Sequence, residues 1–158
     1  MSEKKLTHLD ADGQSHMVDV SDRDVTVRTA QASGHVSLSA EVITMLRDKT
    51  VPKGDVLATA RTAGIMGAKR TPDLIPLCHP IALHSVTVEC EIDGLGVAIV
   101  AKVKTADRTG VEMEALTAVS VAALTIIDMV KAVDPSAAIS HVQVDSKDGG
   151  RNGSWKRP

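Results

Sequence analysis

Apolar and polar positions begin to alternate at Val25, with Val25, Val27 and Thr29 set against Thr26 and Arg28. A second short run, His35-Val36-Ser37-Leu38, follows Gly34. Both predict strand. Ser39 can cap a helix from Ala40 to about Lys49, whose apolar stripe is Val42, Ile43 and Leu46. Pro52-Lys53-Gly54 breaks the chain, Asp55 can cap a second helix to about Lys69, and Pro72 ends it. Leu74 to Pro80 carries prolines at 76 and 80 and cannot be helix. His84 to Ile92 alternates, Asp93-Gly94 turns, and Val97 to Thr105 alternates in reply, which predicts a β-hairpin. After the turn Asp107–Gly110 a long helix runs to about Val133, Pro135 closes it, and Ile139 to Asp145 alternates as a last strand. The order βαββαβ predicts an α+β, ferredoxin-like sandwich, an antiparallel sheet with helices on one face.

Composition narrows the classes. The chain has 158 residues, 43% hydrophobic and 24% charged, which predicts a single globular domain over 1–158. Residues 1–15 are polar and turn-rich, and 147–158 are Gly-rich and basic; both are expected to be flexible, the second as a tail or a lid. Net charge is −2, and Trp155 is the only aromatic among Phe, Tyr and Trp. Nucleic acid is therefore not an expected partner, since an overall basic charge and stacking platforms are both missing. Two cysteines, Cys78 and Cys90, do not make a disulfide scaffold. With His79 and His84 they lack the paired C-x-x-C spacing of a zinc site, so no metal is expected. Neither a signal peptide nor an uncharged run of 18 apolar residues is visible, which predicts no membrane span and a cytoplasmic location.

The candidate chemistry sits on the long helix. From Ala115 to Val130 twelve of sixteen residues are apolar, so this helix is expected to be buried nearly all round. Its polar residues Glu114, Thr117, Ser120, Thr125, Asp128 and Lys131 nevertheless fall within roughly 140° of arc. A solvated stripe would carry longer and more numerous charges, so this one points to a site. Glu114 and Asp128 lie fourteen residues apart, about 21 Å along a helix. One small-molecule centre cannot touch both. Either the helix starts after Glu114, or two chains pair antiparallel so that one chain's Glu114 meets the other's Asp128.

Other candidates are weaker alone. The second helix carries Ala60, Gly64 and Ala68 at four-residue spacing, with Gly67 beside them. Two helical glycines cost about 1 kcal/mol each relative to Ala, so close backbone approach is expected there. Lys53, Arg61, Lys69 and Arg70 cluster around this helix and could hold phosphate. Cys78-His79 occupies a stiff loop between prolines, where a positioned side chain is useful. Cys78 as a nucleophile would need a lowered pKa and a base.

Longer words are recognisable. His16-Met17-Val18-Asp19-Val20, Lys53-Gly54-Asp55-Val56, Ala58-Thr59-Ala60-Arg61 and Ala68-Lys69-Arg70-Thr71 occur in order. Asp73-Leu74-Ile75-Pro76-Leu77-Cys78-His79-Pro80 and Arg108-Thr109-Gly110-Val111-Glu112-Met113-Glu114-Ala115-Leu116-Thr117-Ala118 follow, then Asp128-Met129-Val130-Lys131-Ala132-Val133 and Lys147-Asp148-Gly149-Gly150. From about residue 6 to 155 the chain resembles the MoaC family. The resemblance implies a lyase of molybdenum cofactor biosynthesis that converts 3′,8-cyclo-7,8-dihydro-GTP to cyclic pyranopterin monophosphate and expels pyrophosphate. It implies a homohexamer of three dimers, with sites at the dimer contact. Catalytic roles carry over to Asp128, Lys131 and Lys53, and substrate contacts to Leu77, Cys78, His79, Met113, Glu114 and Lys147. The reading requires no cofactor, and Mg²⁺ with the triphosphate stays open. The chain departs from the family pattern at Ile127 and Val130, where Tyr and Cys are usual, and at Pro72 and Asp148.

A competing class is a non-catalytic binding module on the same fold, a ligand sensor or an RNA-binding domain; the missing aromatics and the net charge of −2 count against RNA. A sensor is the alternative that remains. It would not need Asp128 and Lys131 paired at i, i+3, an arrangement suited to proton transfer in both directions.

Overall fold

A computed structural model describes residues 8–158; the expectation for the first seven residues lies outside the described ones. Strand β1 (Thr26–Ser37) leads into helices α1 (Ala40–Asp48), α2 (Val56–Lys69) and α3 (Thr71–Leu74). Strands β2 (Ser85–Ile92) and β3 (Gly96–Asp107), helix α4 (Glu112–Val130), and strands β4 (Ala138–Asp148) and β5 (Trp155–Lys156) complete the chain. The sheet runs β2-β3-β1-β4-β5 with every pair antiparallel, and α2 and α4 pack together on one face of it. The predicted α+β sandwich of ferredoxin-like type is the architecture observed, with β5 added at one edge.

Local chemistry sets the element boundaries. Ser39 accepts a hydrogen bond from the Val42 N–H, and Asp55 accepts one from Ala58, so both expected caps form. The Asp93 carboxylate accepts the N–H groups of Leu95 and Gly96 and fixes the hairpin turn. Sheet and helices meet over small residues: Ala30, Ala32 and Ala101 on the sheet, and Ala115, Ala118, Ala122 and Ala123 on α4, are all buried. This thin interface is what an aromatic-free core permits. α4 is long and apolar enough to cross a membrane by length and composition, and its burial against the sheet and α2 accounts for that apolarity.

Four expectations change. The two short runs at Val25–Thr29 and His35–Leu38 belong to one strand, because β3 and β4 pair with β1 along both edges and hold Ala30 to Gly34 extended. Pro72 opens the short helix α3 in its first turn, a position where its missing N–H costs nothing. α4 ends at Val130, and the chain to Asp134 turns back through N–H bonds to the Val130 carbonyl. The segment 147–158, expected as a flexible tail, continues β4 to Asp148 and returns as β5, with Lys147 opposite Trp155. Glycines 149, 150 and 153 take positive φ in that return, which β-carbon-bearing residues resist.

Candidate functional site

Four segments converge on the N-terminal end of α4. The chain from His8 to Arg23 folds across it as a strap, closed on itself by a Leu9–Ser15 bridge and by the His16 N–H donating to the His8 carbonyl. The Pro-bracketed loop brings Leu77, Cys78 and His79, the turn after β3 brings Thr109 and Gly110, and α4 brings Glu112, Met113 and Glu114. Together with His8, Val18, Val20 and Arg23 they enclose a cavity of about 260 Å³. Five of the expected substrate contacts, Leu77, Cys78, His79, Met113 and Glu114, thus share one cavity. The structure brings them together from two distant parts of the chain.

Glu114 is the unusual group. Its side chain is buried at 3% exposure, and loss of water around the charged form pushes its pKa up to about 7, with repulsion from Glu112 adding to the rise. A carboxyl poised there can give or take a proton at neutral pH. Burial also raises the Cys78 thiol, and the Glu114 charge raises it further. That is the reverse of what a thiolate nucleophile needs. The His79 Nε2 lies 2.7 Å from the Val18 carbonyl oxygen, which ties the loop to the strap.

A second cleft adjoins the first and shares Arg23, Thr109, Gly110 and Glu112 with it. Its further cations are Arg28, Lys147 and Arg151. Lys147 Nζ sits 3.5 Å from Glu112, and the Arg28 Nε donates to the Asp107 carbonyl at 3.0 Å. No local motif marks Arg23, Arg28 and Arg151 as a group. They meet because β1 pairs with β4, which sets Thr29 opposite Asp148 and carries the tip of the β4–β5 hairpin over the end of β1. Only long-range register could have revealed them.

Three of the four cations clustered around α2 have partners within the chain: Lys53 reaches Asp128, described below, and Arg61 and Arg70 are held nearby. The Arg61 Nε donates to the Val88 carbonyl on edge strand β2, and Arg70 pairs with Asp73. Within the polar stripe, Thr117, Ser120 and Thr125 each donate to the carbonyl four residues back on their own helix. The stripe's neutral members are therefore satisfied by the helix itself, and only its ends carry chemistry. Ile127 packs half-buried against the core and Val130 is buried, so both are packing positions.

The far end of α4 holds the remaining expected residues. Asp128 accepts a hydrogen bond from Lys131, and Lys53 Nζ donates to the Asp128 carbonyl at 2.9 Å while lying 3.5 Å from its carboxylate. The Lys131 hydrogen bond and charge, then the Lys53 charge, hold the Asp128 carboxyl below its ordinary range. All three side chains are exposed in the single chain. Because α4 is unbroken from Glu112 to Val130, the alternative in which the helix starts after Glu114 is removed. Within one chain, Glu114 and Asp128 serve different ends of the molecule.

Fold and site together define an α+β sandwich with an acid–base cavity opening beside a cationic cleft, the equipment of an enzyme for a small anionic substrate. Comparison with known proteins carries this to a family: residues 17–150 match the MoaC family. A protein of Streptomyces griseus subsp. griseus called cyclic pyranopterin monophosphate synthase is 64% identical over 156 residues, covering 99% of this chain and 88% of its own. One of the same name from Nocardioides sp. is 58% identical, with 99% and 98% covered. Cyclic pyranopterin monophosphate synthase 2 of Mycobacterium tuberculosis is 56% identical, with 97% and 92% covered. The chain belongs to the MoaC family.

Proposed function

We propose that this protein converts 3′,8-cyclo-7,8-dihydro-GTP to cyclic pyranopterin monophosphate with release of pyrophosphate, a step of molybdenum cofactor biosynthesis. The observation that carries the reading is the junction of two environments: a cavity holding Glu114 near pKa 7 and a cleft of arginines and Lys147. High identity to relatives named cyclic pyranopterin monophosphate synthase supports the same product.

The triphosphate lies in the cleft, where Arg23, Arg28, Lys147 and Arg151 neutralise the leaving pyrophosphate; arginine forks suit phosphate oxygens. The heterocycle lies in the cavity between Leu77, Cys78, His79 and Met113, with Glu114 exchanging a proton as one ring opens and another closes. Forming the cyclic phosphate requires a substrate hydroxyl to attack the innermost phosphorus as the bond to pyrophosphate breaks, and the hydroxyl proton passes to a base. Asp128 takes that role, with Lys131 and Lys53 holding it ionised. About 21 Å of helix separate it from Glu114, so it comes from a second chain packed antiparallel. In this reading the protein assembles as a hexamer of three dimers with sites at the dimer contact, requires no cofactor and works in the cytoplasm.

The test is pyrophosphate release from the cyclised nucleotide by the purified protein. Turnover is expected, and Asp128→Asn, which conserves volume, should fold normally and lose about 10²–10⁴-fold in rate. Tight nucleotide binding without turnover in the wild type would favour a sensor instead.

A further inference from the structure

The strap from His8 to Arg23 does more than wall the cavity. A backbone carbonyl has no proton to give, so the 2.7 Å contact between the His79 Nε2 and the Val18 oxygen requires a hydrogen on Nε2. In a neutral imidazole this leaves Nδ1 bare, as an acceptor. Among the described residues no group donates to that Nδ1, and no buried side-chain nitrogen or oxygen is left without a partner, so Nδ1 is not sealed inside the protein. The ring lines the cavity that also holds Glu114. Both ends of the contact are braced. His79 follows the turn in which the Cys78 N–H donates to the Ile75 carbonyl, and Val18 precedes Asp19, whose carboxylate accepts the Ser21 N–H.

We infer that the Val18 carbonyl locks His79 in the Nε2–H tautomer, so that Nδ1 is the proton acceptor the cavity offers to substrate. Val18 is then a positioning residue acting through its backbone, and the strap takes part in catalysis without touching the reacting atoms. The inference rests on the reaction proposed above. It gives these two cavity-lining groups opposite tasks: His79 Nδ1 takes a proton from the substrate, and Glu114, whose environment favours its protonated form, returns one. The proton on His79 then passes to Glu114 through solvent, and the hydroxyl proton taken by Asp128 leaves with the pyrophosphate, which restores the enzyme for the next turnover.

Two measurements on the full-length protein test this. Histidine labelled with ¹⁵N, with the His79 signals assigned by their loss in His79→Gln, reports the tautomer directly. A neutral ring with a protonated Nε2 and a bare Nδ1 is expected. A mixture like that of free imidazole, a proton on Nδ1, or a ring doubly protonated throughout the active pH range would overturn the inference. The second measurement replaces the amide nitrogen of Asp19 with an ester oxygen, which weakens the Val18 carbonyl as an acceptor and leaves every side chain in place. The labelled ring should then shift toward the mixed tautomers, and kcat should fall at least tenfold with KM changed by less than about threefold. An unchanged kcat with a changed tautomer would remove the role of the lock. His79→Gln keeps a donor at the ε position, but its amide oxygen is too weak a base to take a proton, so it should lose about 10²-fold in kcat with little change in KM. Failure of the wild type to release any pyrophosphate would sink the proposed function, whereas the spectrum reads the tautomer independently.

Discussion

At the scale of single residues, Glu114 ties function to stability. Its carboxyl would titrate near 4.5 in an unfolded chain and near 7 in the cavity. Between those values the native state holds a proton that the unfolded state has given up, so stability falls as pH rises through that window and levels off above it. A shift of this size corresponds to roughly 3 kcal/mol at full expression. Glu114→Gln carries a neutral amide of the same shape and removes the dependence. Urea unfolding should show the variant and wild type alike near pH 4.5 and the variant more stable at pH 8, by up to about 3 kcal/mol. Parallel pH profiles for the two proteins would mean that Glu114 is an ordinary solvated acid. Asp93, Asp128 and Asp134 are shifted the other way, chiefly by hydrogen bonds, so their contributions are lost below pH 4 and do not overlap the window. The protein thus keeps Glu114 in a state that costs stability at neutral pH, as functional groups commonly do.

At the scale of elements, α2 and α4 approach so closely that only glycine fits between them. A β-carbon on Gly64 would lie 2.9 Å from the Ala118 carbonyl oxygen, and one on Gly67 would lie 2.7 Å from Val121. Alanine raises helix propensity by about 1 kcal/mol, but at Gly64 it meets backbone that cannot rotate away. Gly64→Ala should therefore lower stability by about 1–3 kcal/mol, read from denaturant midpoints; a stabilised variant would show that the helices can separate cheaply. This contact was legible in the sequence, because glycine at helical spacing signals close approach. So were the hairpin and both capped helices, whose causes are local. The middle of β1 was not, since Ala30 to Gly34 is extended only by partners more than sixty residues away. The β4–β5 return escaped for the same reason, its glycines reading as flexibility until pairing with β4 fixed them. The site divides along the same line. Leu77–His79 and Met113–Glu114 stand in recognisable words, while Arg23, Arg28 and Arg151 depend on strand register and carry no local signal.

At the scale of the whole molecule, the two ends of α4 pose the question that one chain cannot answer. Glu114 is buried at the wall of an open-mouthed cavity, whereas Asp128, Lys131 and Lys53 stand on open surface, each about half exposed or more. A general base left in water gains little, so the exposed trio calls for a covering surface. α4 offers one: Leu124 is 58% exposed, and Met113 is 37% exposed at the cavity end of the same helix. In the proposed assembly, a two-fold contact along this helix would set each chain's Asp128 end against its partner's Glu114 end and complete two equivalent sites. Subunit mixing tests it. Glu114→Gln and Asp128→Asn should each be inactive alone. Unfolded and refolded together, they give mixed dimers in which both lesions fall in one site and the other site is intact. Random pairing makes about half the dimers mixed, each with one good site in two, so activity should return to roughly a quarter of wild type if the sites act independently. If every chain carried a complete site, each site would keep one lesion and the mixture would stay inactive. The antiparallel dimer would then have to be given up, and with it the assignment of Asp128 and Glu114 to one reaction centre.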